Sequence, residues 1–194
     1  MPQDSYTDLE EKLARAQRER DEALEQQTAT SEVLRVISSS PGDLRPVFET
    51  ILEKAVTICS AKFATLYLCE GDAFRAAPLH HTPPELAKVL ENSLVRPGPY
   101  VPLGRVAATR TMAHIADMMN ERCYIERDPL AVMGVELGGY RTVLAVPMLK
   151  DDVLVGAIAI YRQEVRPFTD KQIALVTNFE IGRASCRERV LNLV

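Results

Sequence analysis

The sequence predicts an α+β domain in which one antiparallel sheet carries helices on its faces. Two hairpin signatures stand far apart in the chain, at residues 62–77 and 142–161, and segments of helical periodicity precede, separate and follow them. Strands that arrive as hairpins pair antiparallel, and helices set between hairpins favour α+β over a parallel α/β sheet. A long charged helix is expected in front of the domain, because no proline or glycine interrupts residues 4–40.

Composition limits the classes of function that need to be considered. The chain has 194 residues, 46% of them hydrophobic and 26% charged, which suits one packed domain with an appendage. The net charge is −4 and no basic stripe is visible, so nucleic-acid binding is not expected. No apolar run approaches the roughly 18 residues of a membrane span, and the N-terminus lacks the apolar core of a signal peptide. A cytoplasmic location is therefore predicted.

The first 40 residues are predicted to form a signalling helix. Leu9, Leu13, Ala16 and Ala23 follow spacings of four, three and seven, which is a thin heptad seam. A homodimer formed through this helix is the expected partner arrangement. A single solvated helix is the alternative, because the seam has few large side chains.

The next segment begins with turn chemistry and continues as a core-facing helix. The run SSSPG at 38–42 ends the first helix. Apolar residues then recur at spacings of three and four, as on one buried face of a helix: Leu44, Val47, Phe48, Ile51, Leu52, Ala55 and Val56.

The two hairpins differ in their pattern. Glu70-Gly71-Asp72 is the turn of the first, and residues 150–152 form the turn of the second. The strands of the second hairpin, TVLAVPML and VLVGAIAIY, are almost continuously apolar, which indicates that both faces of the sheet are covered. Pro147 cannot donate to a ladder and is expected at a bulge.

Shorter elements are predicted between and after the hairpins. Thr82 and Glu85 have capping-box spacing at the start of a helix, and a second box, Thr169 with Gln172, opens the last helix. Between them the pattern predicts a loop at 96–99, a helix at 103–110, a strand at 112–116 and a helix at 129–137.

The last residues do not continue the pattern of the domain. From Glu180 the chain reads EIGRASCRERV, without an apolar stripe. This run resembles the translation of a sequencing-library adaptor, and we expect it to be foreign to the natural protein. The predicted organisation is therefore a signalling helix at 1–40, a sheet domain at 41–179 and an adaptor-derived tail at 180–194 that truncates the last helix.

Three motifs carry a resemblance to a known family. They are Val146-Pro147-Met148, the strand LVGAIAIY at 154–161, and PFTD at 167–170. In this order they resemble the GAF domains of bacterial sensor histidine kinases, over residues 30–179. The resemblance implies a PAS-like regulatory domain that dimerises through its flanking helices and passes the state of a ligand or partner to an output module. No phosphoacceptor helix or glycine-rich ATP lid is present in the sequence, so we expect no enzyme activity from this chain.

The resemblance also implies a ligand pocket over one sheet face, walled by residues 100–141. Aromatic, sulfur-containing and ionisable side chains in that range suit a small planar or weakly polar ligand. The candidate ligand-binding residues are Tyr100, His114, Asp117, Cys123, Tyr124, Met133 and Arg141. Ordinary core or loop packing is the alternative for each of them. No catalytic residue, metal ligand or cofactor is assigned.

These residues suggest several specific chemistries. His114 and Asp117 are three apart, so on a strand they would face opposite sides and not share a metal. Cys123 would be a redox sensor if Arg122 stabilised its thiolate, with an inert thiol as the alternative. The Cys-His pair of bilin attachment and the cyclic-nucleotide signature are both missing.

Two further functions remain open from the sequence. The first is a ligand-free dimerisation scaffold whose pocket is filled by Met112, Met118 and Met133. The second is a cysteine-dependent reductase of a small sulfoxide, an activity known for this fold, although the surroundings of the cysteines do not match that family. Gly156 is interpreted as a site of close helix packing.

Overall fold

A computed structural model describes residues 45–91 and 93–180. In this part of the chain six strands form one antiparallel sheet, in the order β3-β2-β1-β6-β5-β4. The strands are β1 Phe63–Glu70, β2 Ala73–His80, β3 Leu94–Val95, β4 Ala113–Ile115, β5 Thr142–Lys150 and β6 Val153–Arg162. The two predicted hairpins meet in the centre, where β1 pairs with β6. The predicted α+β class is confirmed.

Six helices accompany the sheet within the described residues. They are α1 Arg45–Ile58, α2 Pro84–Leu90, α3 Pro102–Thr109, α4 Arg122–Ile125, α5 Pro129–Gly138 and α6 Asp170–Glu180, with a 3₁₀ turn at Met118–Asn120. The sequence pattern located α1, α3, β4 and α5 to within one or two residues at the ends that can be compared. Leu44 and the residues before it, including the predicted signalling helix, lie outside the described residues, as does the run after Glu180.

The sheet separates two apolar cores, because successive strand residues point to opposite faces. On one face, here called the helix face, Leu66 and Ile160 pack under α1 and α6. On the other, the cavity face, Phe63, Tyr67 and Tyr161 pack under α2, α3 and α5. This is the two-sided covering that the continuously apolar second hairpin predicted.

The helices of the helix face begin and pack as the sequence predicted. Val47, Phe48, Leu52 and Ala55 form the buried stripe of α1. The capping box of α6 is confirmed, since Thr169 N–H donates to Gln172 Oε1 at 3.1 Å and Gln172 N–H donates to Thr169 Oγ1 at 3.3 Å.

Three local expectations are corrected. Thr82 does not cap α2: the helix begins at Pro84 after Pro83, and the buried Thr82 hydroxyl has no partner among the described residues. The strand β3 was not predicted, because two residues carry no period. Gly156 is required by β1 and not by a helix, since an added Cβ would lie 2.3 Å from the Tyr67 carbonyl oxygen.

No helix in the described part of the chain is both long and apolar enough to cross a membrane.

Candidate functional site

A partly open cavity lies on the cavity face, between the sheet and the segment that joins β3 to β5. Its volume is about 40 Å³. The sheet contributes its floor and the first turns of α3 and α5 contribute its walls. Ten residues line it: Tyr67, Val101, Pro102, Leu103, Met118, Leu130, Ala131, Tyr140, Val143 and Tyr161. Such a volume holds a few water-sized groups and is far below the several hundred Å³ of pockets for drug-sized ligands.

Three tyrosines dominate the polar character of the cavity. The Tyr140 and Tyr161 rings are stacked with centroids 4.0 Å apart, and Phe63 stacks on Tyr161 at 5.0 Å. The hydroxyls of Tyr67 and Tyr161 lie 3.3 Å apart. These contacts fix the phenols against one another, so their hydroxyls form one connected group inside an apolar shell.

The phenols stay uncharged at any ordinary pH. Burial raises the pKa of Tyr67, Tyr140 and Tyr161 well above the usual value for tyrosine. The hydroxyl of Thr65, on the same face of β1, is fully buried and has no partner at hydrogen-bond distance among the described residues. It lies near the phenols of Tyr67 and Tyr161 and lowers their pKa, although by less than burial raises it. The site therefore offers hydroxyl donors and acceptors and no charge.

Two glycines of α5 make room for the stacked tyrosines. A Cβ at Gly134 would lie 2.4 Å from the Tyr140 ring, and one at Gly138 would lie 2.5 Å from the other edge of that ring. Gly139 then ends the helix in the left-handed region, with φ of 68°, and turns the chain so that Tyr140 reaches the cavity.

Ion pairs hold the outer surface of the cavity cover. Arg141 binds Asp117 through two hydrogen bonds of 2.9 Å, and Asp117 also caps the turn that carries Met118. Arg105 on α3 pairs with Glu121, which precedes α4. The Asp117 pKa is lowered chiefly by its hydrogen bond from Arg141. These bonds join separate pieces of the cover around the buried Met118.

The seven candidate residues lie around the cavity without lining it. Tyr100, Asp117 and Arg141 are on the outer side of the cover, where the Arg122 guanidinium lies 4.0 Å from the Tyr100 ring centroid. Cys123, Tyr124 and Met133 pack within the core of the cavity face. His114 is on the opposite face, because its neighbours Ala113 and Ile115 point to the cavity side.

The cavity lies in the segment that the sequence indicated, but none of the seven candidate residues is among those that line it. Seven lining residues fall within 100–141, and Tyr67, Val143 and Tyr161 come from the sheet. The ionisable side chains of Asp117 and Arg141 lie on the outer side of this segment, whereas apolar neighbours such as Met118 line the cavity. One signal could have identified Tyr161: side chains alternate along a strand, and this alternation places Tyr161 on the cavity face at the end of a fully apolar strand.

The three cysteines of the described residues do not resemble reactive thiols. Cys123 is buried, and burial raises its pKa, while Arg122 is paired instead with Glu126. Burial also raises the pKa of Cys69, and it raises that of Cys59 to about 12. Among residues 45–91 and 93–180 no three His, Cys, Asp or Glu side chains are grouped in a way that could hold a metal ion.

A polar cluster on the helix face lies directly behind the cavity. Arg162 follows the cavity residue Tyr161 on β6 and is only 2% exposed. Its guanidinium donates to the backbone carbonyls of Cys59, Arg166 and Pro167 and to Gln172 Oε1, and it lies 4.1 Å from the Phe168 ring centroid. One side chain thus joins the end of α1, the end of β6 and the start of α6.

This combination defines a class of protein: a two-sided α+β domain with a covered cavity on one sheet face and terminal helices on the other. The chain belongs to the GAF domain family, whose model matches residues 43–179.

Solved structures with the same fold come from several bacteria. The GAF domain of a phosphoenolpyruvate-protein phosphotransferase from Coxiella burnetii has a TM-score of 0.68 at 14% identity, over 88% of this chain and 96% of that chain. A GAF domain/HD domain protein from Geobacter sulfurreducens has a TM-score of 0.64 at 18% identity, over 79% and 96%. At these identities the likeness shows the fold alone.

An enzyme is also among the similar structures. A free methionine-R-sulfoxide reductase from Neisseria meningitidis, in complex with its substrate, has a TM-score of 0.64 at 13% identity, over 87% of this chain and 92% of that chain. No curated protein sequence matches this chain.

Proposed function

We propose that this GAF domain is the sensor of a signal-transduction protein, in which a small ligand bound in the cavity changes the packing of the terminal helices. The observation that supports this most directly is the cavity with its three tyrosines on one sheet face, backed by Arg162 on the other. Because Tyr161 and Arg162 are adjacent on β6, a movement of the cavity floor would reach α1 and α6 through one residue.

The cavity suggests the kind of ligand. Its walls are apolar and its polar groups are phenol hydroxyls, so a neutral or weakly polar molecule with a hydrogen-bond acceptor suits it best. At about 40 Å³ it admits a group of only a few atoms. A larger ligand would have to displace Met118 or Leu103, which belong to the cover and not to the sheet.

A histidine kinase is the proposed output of the parent protein, acting as part of a two-component system in the cytoplasm. This rests on the resemblance of the β5–β6 hairpin and the PFTD segment to kinase-linked GAF domains. The proposed dimer would form through the helix that the sequence predicts at residues 1–40. Reading the natural gene downstream of Phe179 tests the output: a kinase core supports it, and a different output module contradicts it.

The enzyme alternative has little support in the cysteines. A thiol-dependent reduction needs an accessible thiolate, whereas Cys123 is buried and the pKa of each described cysteine is raised. We therefore propose that the domain regulates and does not catalyse. The scaffold alternative gains one observation, since Met118 does occupy part of the cavity wall.

A thermal-shift screen with a filled-cavity variant tests ligand binding. The panel holds small molecules with a hydrogen-bond acceptor: the uncharged acetamide, acetone and dimethyl sulfoxide, with acetate and formate as charged counterparts. Ala131 lines the cavity, and Ala131→Val fills much of its volume. Ala107→Val adds the same two carbons at an exposed position of α3 and is the matched control.

The outcomes separate the two functions. A compound that raises the Tm of the unmodified chain and of Ala107→Val, but not of Ala131→Val, supports a sensor that binds in this cavity. A shift of equal size in all three proteins places binding elsewhere and contradicts the site. No shift with any compound favours the scaffold.

A further inference from the structure

A short segment between β6 and α6, residues 164–169, is held against the helix face by several side chains. Arg162 binds the carbonyls of Arg166 and Pro167, and Thr142 Oγ1 accepts from Arg166 N–H at 3.0 Å. The Phe168 N–H donates to Nε2 of His114 at 3.1 Å. This segment fixes where α6 begins, because Thr169 provides its capping box.

Among the described bonds that hold this segment, the one to His114 depends on a proton that exchanges near neutral pH. Arginine stays charged and the threonine hydroxyls and carbonyls do not titrate there. An imidazole nitrogen can accept a hydrogen bond only while it is unprotonated. A proton on Nε2 would place two donors against each other and leave the buried Phe168 N–H without its partner.

The surroundings of His114 add to this effect. Its ring meets the Phe168 ring edge at 5.7 Å and 60°. The charged groups that act on it are Arg162 from β6 and Asp170 from the start of α6, and on β5 its cross-strand neighbour is the apolar Leu144. Burial and Arg162 lower the His114 pKa, and Asp170 partly offsets them. A protonated ring would therefore be repelled by the guanidinium that anchors the same segment.

We propose that His114 is a pH-sensitive latch, which holds the start of α6 against the sheet when neutral and releases it when protonated. The proposal is independent of any ligand in the cavity. It makes pH a second signal, sensed on the helix face, which would act on α6 as the proposed ligand would. His114 acts here as a positioning residue through its bond to the Phe168 backbone.

The test follows the Phe168 amide by ¹⁵N NMR in the full chain as the pH falls from about 7.5 to 5. The Phe168 resonance should titrate with the midpoint of the His114 ring, below the usual value for histidine. Its exchange rate, corrected for the intrinsic effect of pH, should rise about three- to tenfold across the transition.

Two substitutions separate the latch from a merely structural role. His114→Gln keeps a neutral acceptor, so the amide should stay protected at both ends of the pH range. His114→Phe removes the acceptor, so the amide should exchange fast at both ends. His80→Gln, at a histidine on β2, is the control and should keep the wild-type transition.

Several results would overturn the latch. One is a Phe168 amide whose shift and exchange do not follow the His114 midpoint in the unmodified chain. Another is a pH transition that persists in His114→Gln, since a different group would then be responsible. Circular dichroism at each pH distinguishes local release from unfolding, and cooperative loss of the whole fold at that midpoint would also contradict the proposal.

Discussion

The two faces of the sheet are packed with different kinds of side chain. The helix face packs aliphatic side chains such as Leu66 and Ile160 under α1 and α6. The cavity face packs aromatic rings and alanines under short helices joined by loops, and contains a cavity of about 40 Å³. Rigid packing on one side and spare volume on the other suit a domain that admits a ligand on one face and moves helices on the opposite one.

Large-to-small substitutions should show this difference most clearly. Leu66→Ala on the helix face should lower the free energy of unfolding by about 4 kcal/mol, because it opens a new void in a filled core. Leu103→Ala on the cavity face should cost less, about 2 to 3 kcal/mol, because Leu103 already faces empty space and loses fewer contacts. Urea unfolding of both variants measures the difference, and equal costs would contradict the contrast in packing.

The next largest difference between the faces should appear in the stability cost of replacing an arginine on each. Arg162→Met removes the donor to three backbone carbonyls and one of the two donors to Gln172 Oε1, which should cost about 3 kcal/mol. Arg141→Met removes a more solvent-exposed ion pair on the cavity cover and should have a clearly smaller effect. If chemical denaturation finds the two equally destabilising, the Arg162 cluster does not have the role assigned to it.

Small-to-large substitutions should show the same order, with the cavity face again the more tolerant. Ala64→Val overfills the helix face and should destabilise by about 2 kcal/mol. Ala131→Val extends into the cavity and should change stability by less than about 1 kcal/mol, in line with Ala107→Val on the surface of α3. Thermal unfolding of the three variants provides the comparison. A strong loss in Ala131→Val alone would mean that the cavity cannot accept a side chain, and so could not accept a ligand without rearrangement.

The smallest expected effect concerns the phenol cluster. Tyr161→Phe keeps the stacked ring but removes the hydroxyl that contacts Tyr67, so it should cost about 0.5 to 1.5 kcal/mol. Tyr124→Phe, at the edge of the same core, is the control. A Tyr161→Phe variant as stable as the unmodified chain would show that the hydroxyl contact contributes nothing without a ligand.

The pH dependence of stability follows from the lowered pKa of His114. The unfolded chain binds this proton more readily than the folded one, so the stabilisation is complete above the usual histidine pKa of about 6.5. It is lost as the pH falls from there through the folded pKa. His114→Gln should flatten this part of the stability profile, measured by urea unfolding at several pH values, relative to His80→Gln.

The fold was more predictable than the site, for a physical reason. The β5–β6 hairpin and α1 are specified by their own periodicity, so a local pattern identifies them. The cavity is specified by contacts between distant residues: Tyr67, Tyr140 and Tyr161 meet because β1 pairs with β6 and because α5 has glycines under the Tyr140 ring. No residue spacing in the sequence predicts that these three tyrosines come into contact.

The position of His114 could not be predicted from the sequence for the same reason. The sequence marked it as a group with functional chemistry and assigned it to the pocket. The alternation of side chains along β4 places His114 on the helix face. Its hydrogen-bond partner there is the backbone N–H of Phe168, which is 54 positions away in the chain. The register that determines this belongs to the pairing of β4 with β5, which sequence alone does not give.

The central claim is that the state of the cavity reaches the helices on the opposite face. Amide hydrogen exchange of the full chain, compared between Ala131→Val and Ala107→Val and corrected for global stability, tests it without knowledge of the ligand. The account predicts that filling the cavity changes protection in α6 and at the C-terminal end of α1, through Tyr161 and Arg162. Changes confined to the residues of the cavity face, with both helices unaltered, would contradict it.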